Sequence, residues 1–285
     1  MNLRPLNLDP LREHLNQRWE ARCDLQSTSG SRWLLAMTLV ALALATAVGL
    51  IYGPRGLFLP LNGAAAGLPD GFWGLVTSLG DGLLLATLAL FVAYRFPHLL
   101  WVLLLGVFIG LVVTHGPKEL LDMPRPAGVL ETGSFNLVGP GHTSKGPPSG
   151  HTIATFMLAS VAIHVIRSTP WRVTLLLLAS LIGFSRVAVG EHWPFDVLLG
   201  AAVGSFATWL TIRLARSWPA GRNVWVHLGM VVLFTWAAVE LVRFDPPYPL
   251  GHELNILVGS LALVVVVRDY LLGSLFRSMD TARSL

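Results

Sequence analysis

The chain has 285 residues, 53% of them hydrophobic and only 13% charged. This balance is too apolar for a water-soluble domain of that length and points to a membrane protein. The formal net charge of +4 comes from a one-sided distribution of basic residues, so it gives no reason to expect a nucleic-acid partner.

A membrane-crossing helix needs about 20 mostly apolar residues. Eight stretches qualify in chain order: 33–52, 73–93, 99–117, 150–166, 173–190, 195–215, 225–242 and 256–272. The polar tail 1–32 does not resemble a short basic leader with a small-residue cleavage site, so the first span is expected to stay in the mature protein. Eight spans put both termini on one side. The only cysteine, Cys23, lies in the tail and argues for neither a disulfide framework nor a thiolate metal site.

Fourteen of the twenty Lys and Arg residues fall in the tail 1–32, in the turns near 95, 167–172 and 213–222, and at the end of the eighth span. Arg55, Lys118, Arg125, Lys145, Arg186 and Arg243 fall on the opposite face. Short loops rich in these residues stay in the cytoplasm, so both termini are expected there and the second face in the other compartment. Segment 118–149 is the one long polar connection between spans, and connections of that length usually have a function.

That segment and its neighbours carry three clusters. Lys118 closes the third span and begins "KELLDMPRP", which ends in Arg125-Pro126. "PPSGHT", residues 147–152, precedes the fourth span. "SRVAVGEHWPFD", residues 185–196, joins the fifth and sixth. Each has a plain structural explanation: a snorkelling lysine, a Ser149 helix cap, and a first-turn Asp196 complementing the helix dipole behind Pro194.

Together they place three cations, two histidines and a glycine-bearing helix start on one face. Guanidinium forks, an ammonium and unshielded backbone N–H groups suit a phosphate. His192 and Asp196 are four residues apart, so on a helical turn the carboxylate can fix the imidazole tautomer.

These motifs resemble those of the type 2 phosphatidic acid phosphatase superfamily, which also contains vanadium-dependent haloperoxidases and glucose-6-phosphatase. The superfamily signature is Lys, six residues, Arg-Pro; then Pro-Ser-Gly-His; then Ser-Arg, five residues, His, three residues, Asp. Lys118, Arg125, Pro126, Pro148, Ser149, Gly150, His151, Ser185, Arg186, His192 and Asp196 match every defined position.

The resemblance implies an all-α, polytopic transmembrane bundle. A six-span phosphatase core is expected over 33–216, after a cytoplasmic tail 1–32 and before an additional C-terminal pair of spans within 217–285. It implies hydrolysis of a lipid phosphate monoester or diphosphate at the periplasmic face of the bacterial inner membrane. Candidate substrates are undecaprenyl diphosphate, phosphatidylglycerophosphate, phosphatidic acid and lipid A phosphates. The alternative is a lipid phosphotransferase using the same intermediate.

In that scheme His192 attacks phosphorus, Asp196 orients it, and His151 protonates the leaving oxygen and then activates water. Lys118, Arg125, Ser149, Gly150 and Arg186 hold the phosphate oxygens, with no metal or other cofactor. The partners implied are the bilayer and its lipid phosphate. Outside this set, His164, Asp81 and Glu240 are expected to make interhelical hydrogen bonds, with lining a substrate groove as the alternative. Glu191 is expected to be solvated, and His142 has no evident partner.

Overall fold

The computed structural model describes residues 8–20 and 23–272. Arg4, Arg22, Arg277 and Arg283 of the basic tally, with the outer parts of both expected tails, lie outside the described residues. Among the described residues every regular element is helical.

An amphipathic helix α1 (Asp9–Glu20) precedes α2 (Thr28–Ile51), where Ser27 Oγ accepts the Gly30 N–H at 2.9 Å. The short α3 (Phe58–Ala65) follows. The second expected span is broken into α4 (Asp70–Ser78), α5 (Gly82–Thr87) and α6 (Leu90–Ala93), with a bend of 47°. Among the described residues Asp81 makes no interhelical bond there. It caps α5, accepting from the N–H groups of Leu83 and Leu84 at 2.8 and 3.3 Å.

The remaining helices are α7 (Pro97–Leu121), α8 (Gly150–Val165), α9 (Thr169–Ala188), α10 (Pro194–Ser217), α11 (Val224–Arg243) and α12 (Gly251–Val266), the last continuing as a π-helical turn to Leu272. Six helices (α2, α7, α9, α10, α11 and extended α12) are long and apolar enough to cross a membrane. The expected fourth span, α8, has only 16 residues. At 1.5 Å per residue it covers about 24 Å, short of a hydrocarbon core of about 30 Å.

Helix α10 is the most deeply buried of the six long spans and packs chiefly on α2 and α8. Gly200 and Gly204 make the α8 contact possible. A Cβ at Gly200 would lie 2.9 Å from Ser149 O, and one at Gly204 2.7 Å from Ile153 O. Small residues at such spacing let backbones approach closely.

This packing gathers the C-termini of α7 and α9 with the N-termini of α8 and α10 at one end of the bundle. The 122–149 connection folds over that end. Val138 N–H donates to Val189 O at 3.0 Å, and Trp193 Nε1 donates to Pro124 O at 2.9 Å. Buried Asn62 of α3 bridges the same layer, donating to the carbonyls of Asn136, Val187 and Ala188 and accepting from Asn136 N–H.

Two other polar residues inside spans are explained locally. His164 meets Leu25 O through Nε2 at 3.1 Å, which ties α8 to the segment before α2. Among the described residues Glu240 makes no interhelical bond: it pairs with Arg243, one turn along α11.

Candidate active site

A cavity of ≈ 420 Å³ lies at the gathered helix ends. Lys118, Arg125, Gly150, His151, Arg186 and His192 all line it, although the first and last are 74 positions apart. Ser149 and Asp196 stand behind the wall.

Lys118 arrives from the last turn of α7, with Nζ 3.6 Å from where a Gly150 Cβ would sit. The ammonium therefore lies beside the first turn of α8. That turn has no side-chain cap. Ser149 does not supply one, because its buried Oγ accepts a hydrogen bond from Thr152 Oγ1 at 3.0 Å instead. The α8 N–H groups and the positive end of its dipole are left facing the cavity wall occupied by Gly150 and His151.

Arg186 ends α9 and Pro194 begins α10 at its first position. Gly190, at φ +79°, turns the chain between them. The N–H groups of Glu191 and His192 both donate to Arg186 O at 3.0 Å, which closes the turn and presents His192 to the cavity.

His192 Nδ1 lies 3.1 Å from Asp196 Oδ2, and both residues are 2% exposed. Asp196 Oδ2 also accepts the Trp193 N–H at 3.3 Å. With Nδ1 turned to the carboxylate, Nε2 is the nitrogen available to the cavity. Burial, then Arg125, Arg186, Lys118 and His151, hold the His192 pKa well below its ordinary value, so the ring is neutral.

Glu191 corrects the expectation of a solvated side chain. It is fully buried, and its carboxylate organises the cations. Oε2 accepts from Arg125 Nη1 at 2.8 Å and meets His142 Nδ1 at 2.9 Å, while Arg186 Nη2 stands 3.9 Å away. Oε1 accepts the Gly141 N–H at 3.0 Å. Burial alone would push the Glu191 carboxyl up, but Arg186, His142 and Arg125 outweigh it and hold it below the usual range. His142 thus has a partner, which the sequence did not reveal. The available signal was chemical: cations converging beside apolar helices require a buried counter-charge.

Arg186 donates through Nη1 to Thr77 Oγ1 at 2.7 Å and to the Tyr248 hydroxyl at 3.0 Å. Its buried Nε has no hydrogen-bond partner among the described residues. Lys145 points elsewhere and pairs with Glu119. His115 meets Leu111 O in its own helix. Among the described residues no group of three or more His, Cys, Asp and Glu is placed to share a metal ion.

A second, mainly apolar groove of ≈ 540 Å³ shares Asp81, Lys118, Gly150 and His151 with the cavity. It follows α5, α7 and α8 past Leu103, Val107 and Met157 to Thr208 and Phe234. A charged cavity opening beside an apolar groove can take a phosphate with a hydrocarbon tail.

A crystal structure of Aquifex aeolicus LpxE superposes with a TM-score of 0.51 at 31% identity, covering 55% of this chain and 93% of that one. The PAP2 superfamily model matches residues 99–220. The chain belongs to the PAP2 superfamily. Other PAP2-related proteins match over shorter stretches. The undecaprenyl-diphosphatase of Sulfolobus acidocaldarius is 29% identical over 41% of this chain and 55% of its own length. The lipid A 1-phosphatase of Porphyromonas gingivalis is 33% identical over 37% and 26%, respectively. The chain thus spans about half or less of the curated relatives it matches. The PAP2 match includes all three clusters and ends before α11.

Proposed function

We propose that the protein is an integral membrane lipid phosphatase that cleaves a phosphate monoester or diphosphate through a phosphohistidine on His192. The observation that carries this reading is the single cavity wall shared by Lys118, Arg125, Arg186, His151 and His192, with Asp196 behind His192.

In the proposed reaction the phosphate sits among the three cations and the first turn of α8. Neutral His192 Nε2 attacks phosphorus, and Asp196 stabilises the cationic imidazole that forms. His151 takes up a proton from the entering phosphate, gives it to the leaving oxygen, then takes one from the water that releases phosphate. Ser149 contributes by supporting the α8 turn and, through its own hydroxyl proton, the phosphate. The cations supply the charge that a dication supplies elsewhere, so the reaction needs no metal. The lipid tail lies in the adjoining apolar groove.

Domain roles follow the same reading: 33–216 is the catalytic core, with spans α2, α7, α9 and α10, the bent α4–α6 segment and the short α8, and an added pair of spans, α11 and α12, lies within 217–285. The inner membrane of a bacterial cell, with the site periplasmic and the termini cytoplasmic, fits the fourteen-to-six split of basic residues. Reporter fusions after residue 135 and at the C-terminus should then report opposite compartments. Cytoplasmic signals from both would overturn the orientation.

The purified protein should release inorganic phosphate from at least one of undecaprenyl diphosphate, phosphatidylglycerophosphate, phosphatidic acid and lipid A. Release should survive chelator and be inhibited by vanadate, which mimics pentacoordinate phosphorus. Abolition by chelator with rescue by one divalent ion would overturn the metal-free route.

A further inference from the structure

The match to the PAP2 model ends at residue 220, yet five residues that line the cavity come from the following helix pair: Phe244, Pro246, Pro247, Tyr248 and Asn255. All belong to the connection between α11 and α12 or to the second turn of α12. The connection is held in place. Tyr248 O accepts the Gly251 N–H at 3.1 Å, and His252 Nδ1 meets Phe244 O at 3.3 Å. Gly251 packs against Pro246 and against Ser78 of α4, with no room for a side chain.

Two side chains in this wall are chemically specific. Tyr248 lies against Gly139 of the long connection and under Arg186, whose guanidinium carbon is 5.5 Å from the ring centroid. Its hydroxyl accepts from Arg186 Nη1. This contact fixes one edge of the guanidinium, leaving the unpartnered Nε for a ligand oxygen.

Asn255 is 1% exposed, and Nδ2 donates to Phe244 O at 3.1 Å. Because Nδ2 faces a carbonyl, the amide orientation is set. Oδ1 then has no hydrogen-bond partner among the described residues. A buried acceptor without a donor is costly, and in a cavity wall a ligand can satisfy it. Ionised phosphate oxygens cannot, since they are acceptors themselves. A hydroxyl or amide N–H can.

We propose that the α11–α12 hairpin forms a head-group subsite, in which Asn255 Oδ1 accepts a hydroxyl or amide N–H carried by the head group beside the phosphate and Tyr248 positions Arg186. The inference rests on the lipid phosphatase reading and deepens it. The favoured class is a phosphomonoester on a hydroxylated head group, such as a sugar or glycerol phosphate, over a second phosphate or a bare alkyl phosphate. Tyr248 is a positioning residue: it acts on the phosphate through Arg186.

The test uses the full-length protein in detergent–lipid micelles, with phosphatidylglycerophosphate and lipid A as hydroxylated substrates and phosphatidic acid as the hydroxyl-free one. Asn255→Ala should lower the ratio of kcat/KM for each hydroxylated substrate over phosphatidic acid by about tenfold, the equivalent of one lost hydrogen bond. An unchanged ratio overturns the subsite.

Tyr248→Phe keeps the ring and loses the hydroxyl. It should weaken vanadate inhibition severalfold without changing the ratio, and undiminished inhibition overturns the positioning role. A measurement on the unaltered protein guards against misfolded variants. Soluble glycerol 3-phosphate should compete about tenfold better than propyl phosphate, and equal competition contradicts the subsite. Failure to release phosphate from any of these lipids, or from undecaprenyl diphosphate, instead refutes the phosphatase reading itself.

Discussion

His192 and Asp196 face each other one helical turn apart, Nδ1 to Oδ2 at 3.1 Å, in surroundings that leave each only 2% exposed. The carboxylate selects the tautomer with its proton on Nδ1 and will meet a positive charge when Nε2 bonds to phosphorus. Asp196→Asn should keep the fold and vanadate binding while lowering kcat by about 10²–10⁴-fold, because an amide does not stabilise the imidazolium as a carboxylate does. A kcat within twofold of wild type would remove Asp196 from this role.

Glu191 holds Arg125 at 2.8 Å and also engages His142 and Gly141. Glu191→Gln keeps the shape and an acceptor but leaves the buried guanidinium without its counter-charge. Breaking a buried pair from one side typically costs about 3–5 kcal/mol. The thermal midpoint should fall clearly, and kcat/KM should drop at least about tenfold as Arg125 loses its anchor. An unaltered midpoint would mean that water, and not Glu191, balances Arg125.

The two histidines separate by leaving group. A diphosphate expels a comparatively stable phosphate anion, whereas an aliphatic monoester must expel a poor alkoxide. His151→Ala should therefore damage monoester hydrolysis more than diphosphate hydrolysis, by about 10²–10⁴-fold in the harder case. Equal losses on both would argue that His151 binds phosphate and transfers no proton.

Protonation of His192 is disfavoured by burial and by Arg125, Arg186, Lys118 and His151, which lower its pKa well below 6.5. A nucleophile must be neutral, so the acid limb of kcat/KM should lie below pH 6.5 in the wild type. Arg125→Gln removes one of these cations and should move the limb upward. The substrate's own ionisation is common to both proteins, so their difference reports the enzyme. Stability has the same sign. Below pH 6.5 the unfolded chain binds a proton at this residue that the folded chain resists, so the thermal midpoint should decline as pH falls. A limb that does not move in Arg125→Gln would contradict the proposed electrostatic coupling.

Much of the fold and of the cavity was legible because lipid imposes a simple code. Runs such as Pro97–Leu120 announce themselves by hydropathy, and the signature spacing marks Lys118, Arg125, His151, Arg186 and His192. Breaks inside spans were less legible. The run 73–93 reads as continuous, but Asp81 caps a new helix within it and bends it. Helix α8 is mainly apolar, and its shortness depends on where the Pro-rich connection hands over to Gly150. Glu191 was misread because a charged residue in a polar turn is solvated by default, and only tertiary folding brings Arg125 from 66 positions away to cover it. The contact that Ser149 Oγ accepts from Thr152 Oγ1 within the first turn of α8 is likewise a detail that the signature spacing does not specify. Tyr248 and Asn255 lie beyond the signature, and nothing local tells that the α11–α12 connection returns to the cavity.

The most direct test is rapid-quench trapping of the phosphoenzyme with a radiolabelled lipid phosphate, comparing wild type and His192→Ala. An acid-labile, base-stable phosphoprotein should accumulate in the wild type and be absent from His192→Ala with every substrate. A phosphoprotein that persists in His192→Ala would contradict the assignment of this residue as nucleophile.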